Sequence, residues 1–104
     1  MLTVAETEVF KALAERYWSE NERLEFIEHI AANHDVGSIV PKSGGVRKVR
    51  WAAKGKGKRG GVRVIYFNMV PEGKIWLLTM YGKNVKENIP AHTLKMIKEV
   101  IENE

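Results

Sequence analysis

The spacing of apolar residues shifts from helical to strand-like midway along this chain, and that change constrains its architecture more than any single motif. Val9, Phe10, Leu13, Ala14 and Tyr17 recur three and four residues apart, between Glu6, Lys11, Glu15 and Arg16, which is the repeat of one buried helix face. After Ser19-Glu20-Asn21 the repeat returns in Leu24, Ile27, Ile30 and Ala31, with Ser19 or Asn21 as the N-cap. Two such segments in succession predict a helical hairpin. Residues 33–45 then bring Asn, Asp, Gly, Pro and Ser close together, a composition that breaks helix and strand alike and predicts a connecting loop. Beyond that loop the pattern is β-like. Residues 46–51, 62–69 and 75–81 are short runs rich in Val, Ile, Tyr, Phe and Trp, and read as three strands.

The connections say how these strands pair. A Lys/Gly run from Lys54 to Gly61 joins the first two, and Pro71-Glu72-Gly73 supplies turn chemistry before the third. Consecutive short connections favour an antiparallel meander. Ile75-Trp76-Leu77-Leu78 is apolar on both strand faces, so the third strand should be central or covered on both sides. Pro90 followed by Leu94, Ile97, Val100 and Ile101 marks a C-terminal amphipathic helix. The expected class is α+β, with residues 1–104 as one domain, because a chain of this length has too little interior to divide further.

Composition narrows the setting. Hydrophobic residues at 44% and charged residues at 29% exclude a wholly disordered chain. No stretch approaches the ~20 apolar residues of a membrane span, and the first residues lack the basic and apolar segments of a signal peptide. A cytoplasmic protein without membrane partners is the expectation. The absence of cysteine removes disulfides, thiol nucleophiles and thiolate metal sites.

Charge is distributed unevenly. Lys42, Arg47, Lys48, Arg50, Lys54, Lys56, Lys58, Arg59 and Arg63 place nine cations in 22 residues with no Asp or Glu among them. The rest of the chain sets eight cations against thirteen acids. Like charges at that density repel, and a polyanion that neutralises them and releases its counterions is the economical partner. A solvated basic surface, or a patch for an acidic protein, is the plainer alternative.

Strand alternation refines the pattern. Lys48 and Arg50 should project from one face, Val49 and Trp51 from the other. Antiparallel pairing with residues 62–69 brings Arg63 towards Arg50 or Lys48, depending on register. Tyr81 and Lys83, after the third strand, could close the set. Such a cluster can bind a phosphodiester, Arg63 through forked contacts, although surface cations on a solvated sheet would look the same in sequence. The Lys/Gly loop, with Lys54, Lys56, Lys58 and Arg59, suits backbone tracking along a nucleic acid, as does Arg47 beside it. It is not a phosphate-binding P-loop, since G-x-x-x-x-G-K-[ST] is absent. His29, His34 and His92 lie apart without metal-ligand spacing and read as structural or surface residues. Trp18, Trp51 and Trp76 fall in apolar periodic runs and read as core, while Tyr66 and Tyr81 are open between core and base stacking.

The run GGVRKVRWAAKGKGKRGGVRVIY at residues 44–66, followed by LLTMYGKN at residues 77–84, resembles the RelE/HigB family of type II toxin–antitoxin toxins, and within it the HigB-like branch. The resemblance implies a RelE-like fold: an N-terminal helical hairpin on a small, mostly antiparallel sheet, a C-terminal helix, and often a short initial strand that residues 2–5 could supply. It implies an mRNA interferase, an endoribonuclease cleaving messages in the ribosomal A site and inhibiting translation and growth. The implied partners are mRNA, the ribosome and a cognate antitoxin, a HigA-like helix-turn-helix protein. By motif position Lys48 and Arg50 correspond to the basic pair of the first long strand, Arg63 to the phosphate-binding arginine, and Lys83 to a basic catalytic position.

The reaction expected is metal-independent and cofactor-free attack of an RNA 2′-hydroxyl on the adjacent phosphate. Arg63 and Arg50 would stabilise charge on the phosphoryl oxygens. Lys48 would act as base or electrostatic activator, and Tyr81 or Lys83 would orient the base or assist the leaving group. A non-catalytic nucleic-acid-binding module explains the charge asymmetry equally well, and a domain that docks an acidic protein segment is a third reading.

Overall fold

The computed structural model describes residues 2–52, 61–82 and 89–103. In chain order they form β1 (Thr3–Glu6), α1 (Glu8–Tyr17), α2 (Glu20–Ala32), β2 (Ser38–Ile39), β3 (Arg47–Trp51), β4 (Val62–Met69), a 3₁₀ turn (Val70–Glu72), β5 (Lys74–Gly82) and α3 (Ala91–Glu102). The class is α+β, as the change of period predicts. No helix among the described residues is long and apolar enough to cross a membrane.

Local chemistry starts and stops these elements. Thr7 caps α1 by accepting a hydrogen bond from the Phe10 amide at 3.0 Å. Ser19 and Glu22 form a reciprocal capping box at the head of α2, so Ser19 rather than Asn21 is the N-cap. Pro90 caps α3. Pro71 sits inside the 3₁₀ turn, which Gly73 closes in the left-handed region at φ 68°.

The five strands form one mixed sheet in the order β1-β5-β4-β3-β2. β3, β4 and β5 make the expected antiparallel meander, and β1 joins it parallel to β5. β5 therefore lies between two neighbours, and it is covered on both faces, as its continuous apolar run requires. Phe10, Ala14, Trp18, Phe26 and Ile30 from α1 and α2 pack against Val62, Val64, Tyr66, Ile75, Leu77 and Met80 on one face. On the other, Leu94 of α3 packs with Val46, Ile65, Phe67 and Leu78, with Ile97 and Ile101 alongside.

Three features depart from the periodic reading. Val9, Leu24 and Val100 are 59%, 51% and 65% exposed, while Phe26 is fully buried. The reason in α2 is angular: Phe26 and Ile30, one turn apart, define the buried stripe, and Leu24 falls off it. The loop of residues 33–45 contains β2, whose two residues are too few for any alternation to announce.

The third departure is a bulge. In the β4–β5 ladder Tyr66 pairs with Leu77 while Ile65 pairs with Thr79, so Leu78 is an extra residue. Ile75 and Leu77 face the helical hairpin, and strict alternation would turn Tyr81 the same way. The bulge reverses the phase: Met80 faces the hairpin and Tyr81 faces α3. The displaced Leu78 carbonyl accepts a hydrogen bond from the Thr7 hydroxyl at 2.7 Å, so the residue that caps α1 also satisfies the bulge.

Candidate functional site

The basic residues of β3 divide between its faces. Val49 and Trp51 pack on the hairpin side, so Lys48 and Arg50 project towards the side of α3. Register then decides what stands beside them. Arg50 pairs with Arg63 on β4, and Arg63 pairs with Tyr81 on β5. Arg50, Arg63 and Tyr81 thus form one row across three adjacent strands, with neighbouring side chains roughly 4.5–5.5 Å apart at Cβ. The next row runs Ser38, Lys48, Ile65 and Thr79. Four of the predicted site residues, Lys48, Arg50, Arg63 and Tyr81, are therefore brought together on one face.

Arg47 is not among them. Its guanidinium lies on the opposite side of β3 and donates from Nη1 to the carbonyls of Gly37 at 2.7 Å and Asp35 at 3.2 Å. It holds the loop that leads into β2. The predicted Lys83, Lys54, Lys56, Lys58 and Arg59 lie outside the described residues.

Lys48 stands between two clefts. One, of about 410 Å³, is lined by Val36, Gly37, Ser38, Lys48, Val49, Arg50 and Arg63 along the edge of β3 beyond the short β2. The other, of about 240 Å³, opens between the sheet and the start of α3 and is lined by Val40, Lys48, Ile65, Tyr81, Ile89 and Leu94. The first is lined by three cations, and the second mixes four aliphatic side chains with Lys48 and the Tyr81 phenol. No carboxylate or imidazole is among the described residues that line either cleft, and no group of three or more His, Asp or Glu side chains among the described residues could hold a metal ion.

The end of the sheet that carries the row is tied down from the hairpin side. Trp18 Nε1 donates to the Ala52 carbonyl at 2.9 Å, directly after β3. The Tyr17 hydroxyl accepts from the Gly82 amide at 3.1 Å, at the end of β5. Gly61 enters β4 with φ 72°, and a Cβ there would overlap the Trp51 carbonyl oxygen. Consecutive residues at the end of α1 thus hold the strands on either side of β4, which limits how far Arg50, Arg63 and Tyr81 can separate.

The aromatic and histidine residues sort as their surroundings dictate. Trp18 is buried, and Trp51 and Trp76 are half-buried against the two apolar layers. His29 stacks on Trp51 with ring centroids 4.7 Å apart, and His92 is exposed. Tyr66 is core: fully buried, its hydroxyl accepts from the Gly37 amide at 2.9 Å. Burial raises its pKa above 10.0, against a lowering by the Gly37 hydrogen bond and by Arg47. Tyr81 alone of the two tyrosines reaches a cleft.

Residues that sequence reasoning passed over are the apolar walls, Val40, Ile65, Ile89 and Leu94, and the cleft edge from Val36 to Ser38. Ile65 shares its strand face with Arg63 and was legible from alternation. The others come from the loop, the short β2 and the region of α3, and only packing brings them to this face.

No protein-family model matches the sequence. What this face can do follows from its own groups: two guanidiniums and an ammonium able to hold a phosphodiester, with a phenol and a partly aliphatic hollow beside them.

Proposed function

We propose that this protein is the toxin of a type II toxin–antitoxin system, an endoribonuclease of RelE-like fold and HigB-like type that cleaves mRNA on the translating ribosome. The observation that carries the reading is the pairing of Arg50 with Arg63, with Lys48 on the same face. Like charges directly opposite on a sheet are destabilising. A phosphate between them reverses the sign of that interaction and accepts forked hydrogen bonds from both guanidiniums.

Chain cleavage needs little beyond such a site. The RNA 2′-oxygen attacks the adjacent phosphorus and loses its proton. The bond to the 5′-oxygen breaks, and that oxygen takes a proton, leaving a 2′,3′-cyclic phosphate and a 5′-hydroxyl end. Arg50 and Arg63 stabilise the charge that accumulates on the non-bridging oxygens, a contribution worth about 10²–10³ in rate for a single well-placed donor. Lys48 acts as base or electrostatic activator at the 2′-oxygen, and Tyr81 lies one strand from Arg63, where it orients the substrate or assists the leaving group. In this reading the protein acts in the cytoplasm, and a HigA-like helix-turn-helix antitoxin restrains it.

The test is induced expression in bacteria of wild type, Arg63→Ala and Lys48→Ala, with mapping of mRNA ends. Wild type should arrest growth and produce 5′-hydroxyl ends within coding sequence, and both variants, shown to be folded, should lose these effects. Intact message with RNA binding retained would make the protein a non-catalytic nucleic-acid-binding module instead. Tight complex formation with an acidic protein segment, without RNA binding or growth arrest, would identify the basic face as a protein-docking surface.

A further inference from the structure

The two clefts beside Lys48 differ in chemistry as the two halves of a nucleotide do. The cleft at Arg50 and Arg63 is open and cationic. The cleft at Tyr81 has four aliphatic walls, Val40, Ile65, Ile89 and Leu94, with the Tyr81 phenol ring and Lys48 at its polar side. Resting on the RNA reading above, we propose that this second cleft receives one nucleobase of a single-stranded RNA whose adjoining phosphate is held by Arg50, Arg63 and Lys48.

Size and position support this. At about 240 Å³ the hollow is smaller than the roughly 300–1,000 Å³ of sites that enclose drug-sized ligands, which suits one flat ring system and not a whole nucleotide. Tyr81 is the direct cross-strand neighbour of Arg63, with their backbones one strand spacing apart, about 4.8 Å. Lys48 lines both clefts and lies where the sugar linking them would pass. A base stacked on Tyr81 leaves solvent against Ile65, Ile89 and Leu94, and no cation of the row need leave its phosphate.

The placement of Tyr81 is itself an observation in favour. Only the extra residue Leu78 turns Tyr81 to this face, and the bulge is sustained by the Thr7 hydroxyl at the Leu78 carbonyl. Bulges commonly re-aim a side chain beside a functional site. Stacking platforms bind single-stranded nucleic acid with little dependence on sequence, because every base has a ring face. The cleft is therefore expected to accept any base beside the scissile phosphate.

The experiment measures fluorescence anisotropy with full-length protein. The probes are a labelled 2′-O-methyl hexaribonucleotide that cannot be cut, the same oligomer with one abasic unit placed in turn at each position, and inorganic polyphosphate as competitor. One abasic position should weaken binding to wild type about tenfold, within the range found for a single base–aromatic stack. Tyr81→Leu, and Ile89→Trp, which fills the hollow, should weaken the intact oligomer by the same factor and weaken the oligomer with that abasic unit by much less. Arg63→Gln should weaken every probe. Equal affinity of wild type for the intact and all abasic oligomers would overturn the base cleft while leaving the RNA reading standing, even if both cleft variants failed to fold. So would wild-type affinity of a folded Tyr81→Leu for the intact oligomer. Failure of wild type to bind any RNA probe would overturn the RNA reading and the base cleft with it.

Discussion

Arg50 and Arg63 occupy directly paired positions in the β3–β4 ladder, so two guanidiniums project from adjacent strands on the same face. Like charges at directly opposed positions of a sheet repel, so the pair bears on stability as well as on the function proposed above.

Arg50→Gln should therefore raise stability while lowering activity. Removing one of two opposed cations is worth about 0.2–1 kcal/mol, seen as a higher urea midpoint at low salt. The gain should shrink as added salt screens the repulsion in wild type. On the function proposed above, RNA cleavage by the same variant should fall about a hundredfold or more. A variant less stable than wild type at low salt would mean that Arg50 is held by contacts that outweigh the repulsion.

Gly61 and Gly73 offer a matched comparison. Both adopt positive φ, 72° and 68°, but a Cβ at Gly73 meets nothing within 4 Å whereas one at Gly61 overlaps the Trp51 carbonyl. Gly73→Ala should cost about 1 kcal/mol, the ordinary penalty for a side chain in this region. Gly61→Ala should cost at least about 2 kcal/mol more, since backbone must move. Thermal unfolding of the two variants measures the difference, and equal losses would contradict a rigid junction at the start of β4.

Tyr66 should give wild type an alkaline limb. Its pKa is raised by burial above the 10.0 of an unfolded chain, so the folded state keeps the phenol proton more tightly than the unfolded state does. That contribution is fully present below pH 10 and is lost as pH rises through the folded value. Tyr66→Phe removes the acceptor of the buried Gly37 amide and should cost about 1–3 kcal/mol at neutral pH. Its stability should fall less steeply than that of wild type above pH 10, followed by circular dichroism in urea. Parallel curves would show that Tyr66 does not report the linkage.

Arg23 and Glu6 tie α2 to β1 by a forked ion pair, Nη2 to Oε1 at 2.8 Å and Nε to Oε2 at 3.0 Å, with both side chains mostly buried. Arg23→Met should cost about 1–3 kcal/mol by stranding the Glu6 carboxylate. Adding Glu6→Met should restore much of that loss, because two apolar groups replace two charges. A double-mutant cycle gives the coupling, and additive losses would mean that the pair contributes nothing of its own.

Much of this architecture is legible along the chain. The helical repeat, Ser19 before Glu22, the three β-prone runs and Pro90 before an apolar stripe each rest on local physics, and each element formed where those signals stand. Alternation likewise suffices to put Lys48 and Arg50 on one face of β3. The stripe of α2 was less legible, because Leu24 and Phe26 are equally apolar and only the neighbouring helix and sheet decide which is covered. Ser38 and Ile39 pair as a strand because β3 presents an edge to them, and nothing in two residues alone requires it.

The site shows the same division. Sequence by itself determined that a dense set of cations would flank strands, and that Lys48 and Arg50 would point together, because side-chain alternation is a property of the backbone. Tertiary structure decided that Arg63 stands opposite Arg50, since register is set by the whole buried face of the sheet. It also decided the face of Tyr81. From Ile75 onward, alternation alone turns that ring into the layer under the helical hairpin. The extra residue Leu78, its carbonyl taken by Thr7 more than seventy positions away in the chain, turns it to the cations. No local signal carries that information, because the hydrogen bond that sustains the bulge exists only once α1 has packed on the sheet.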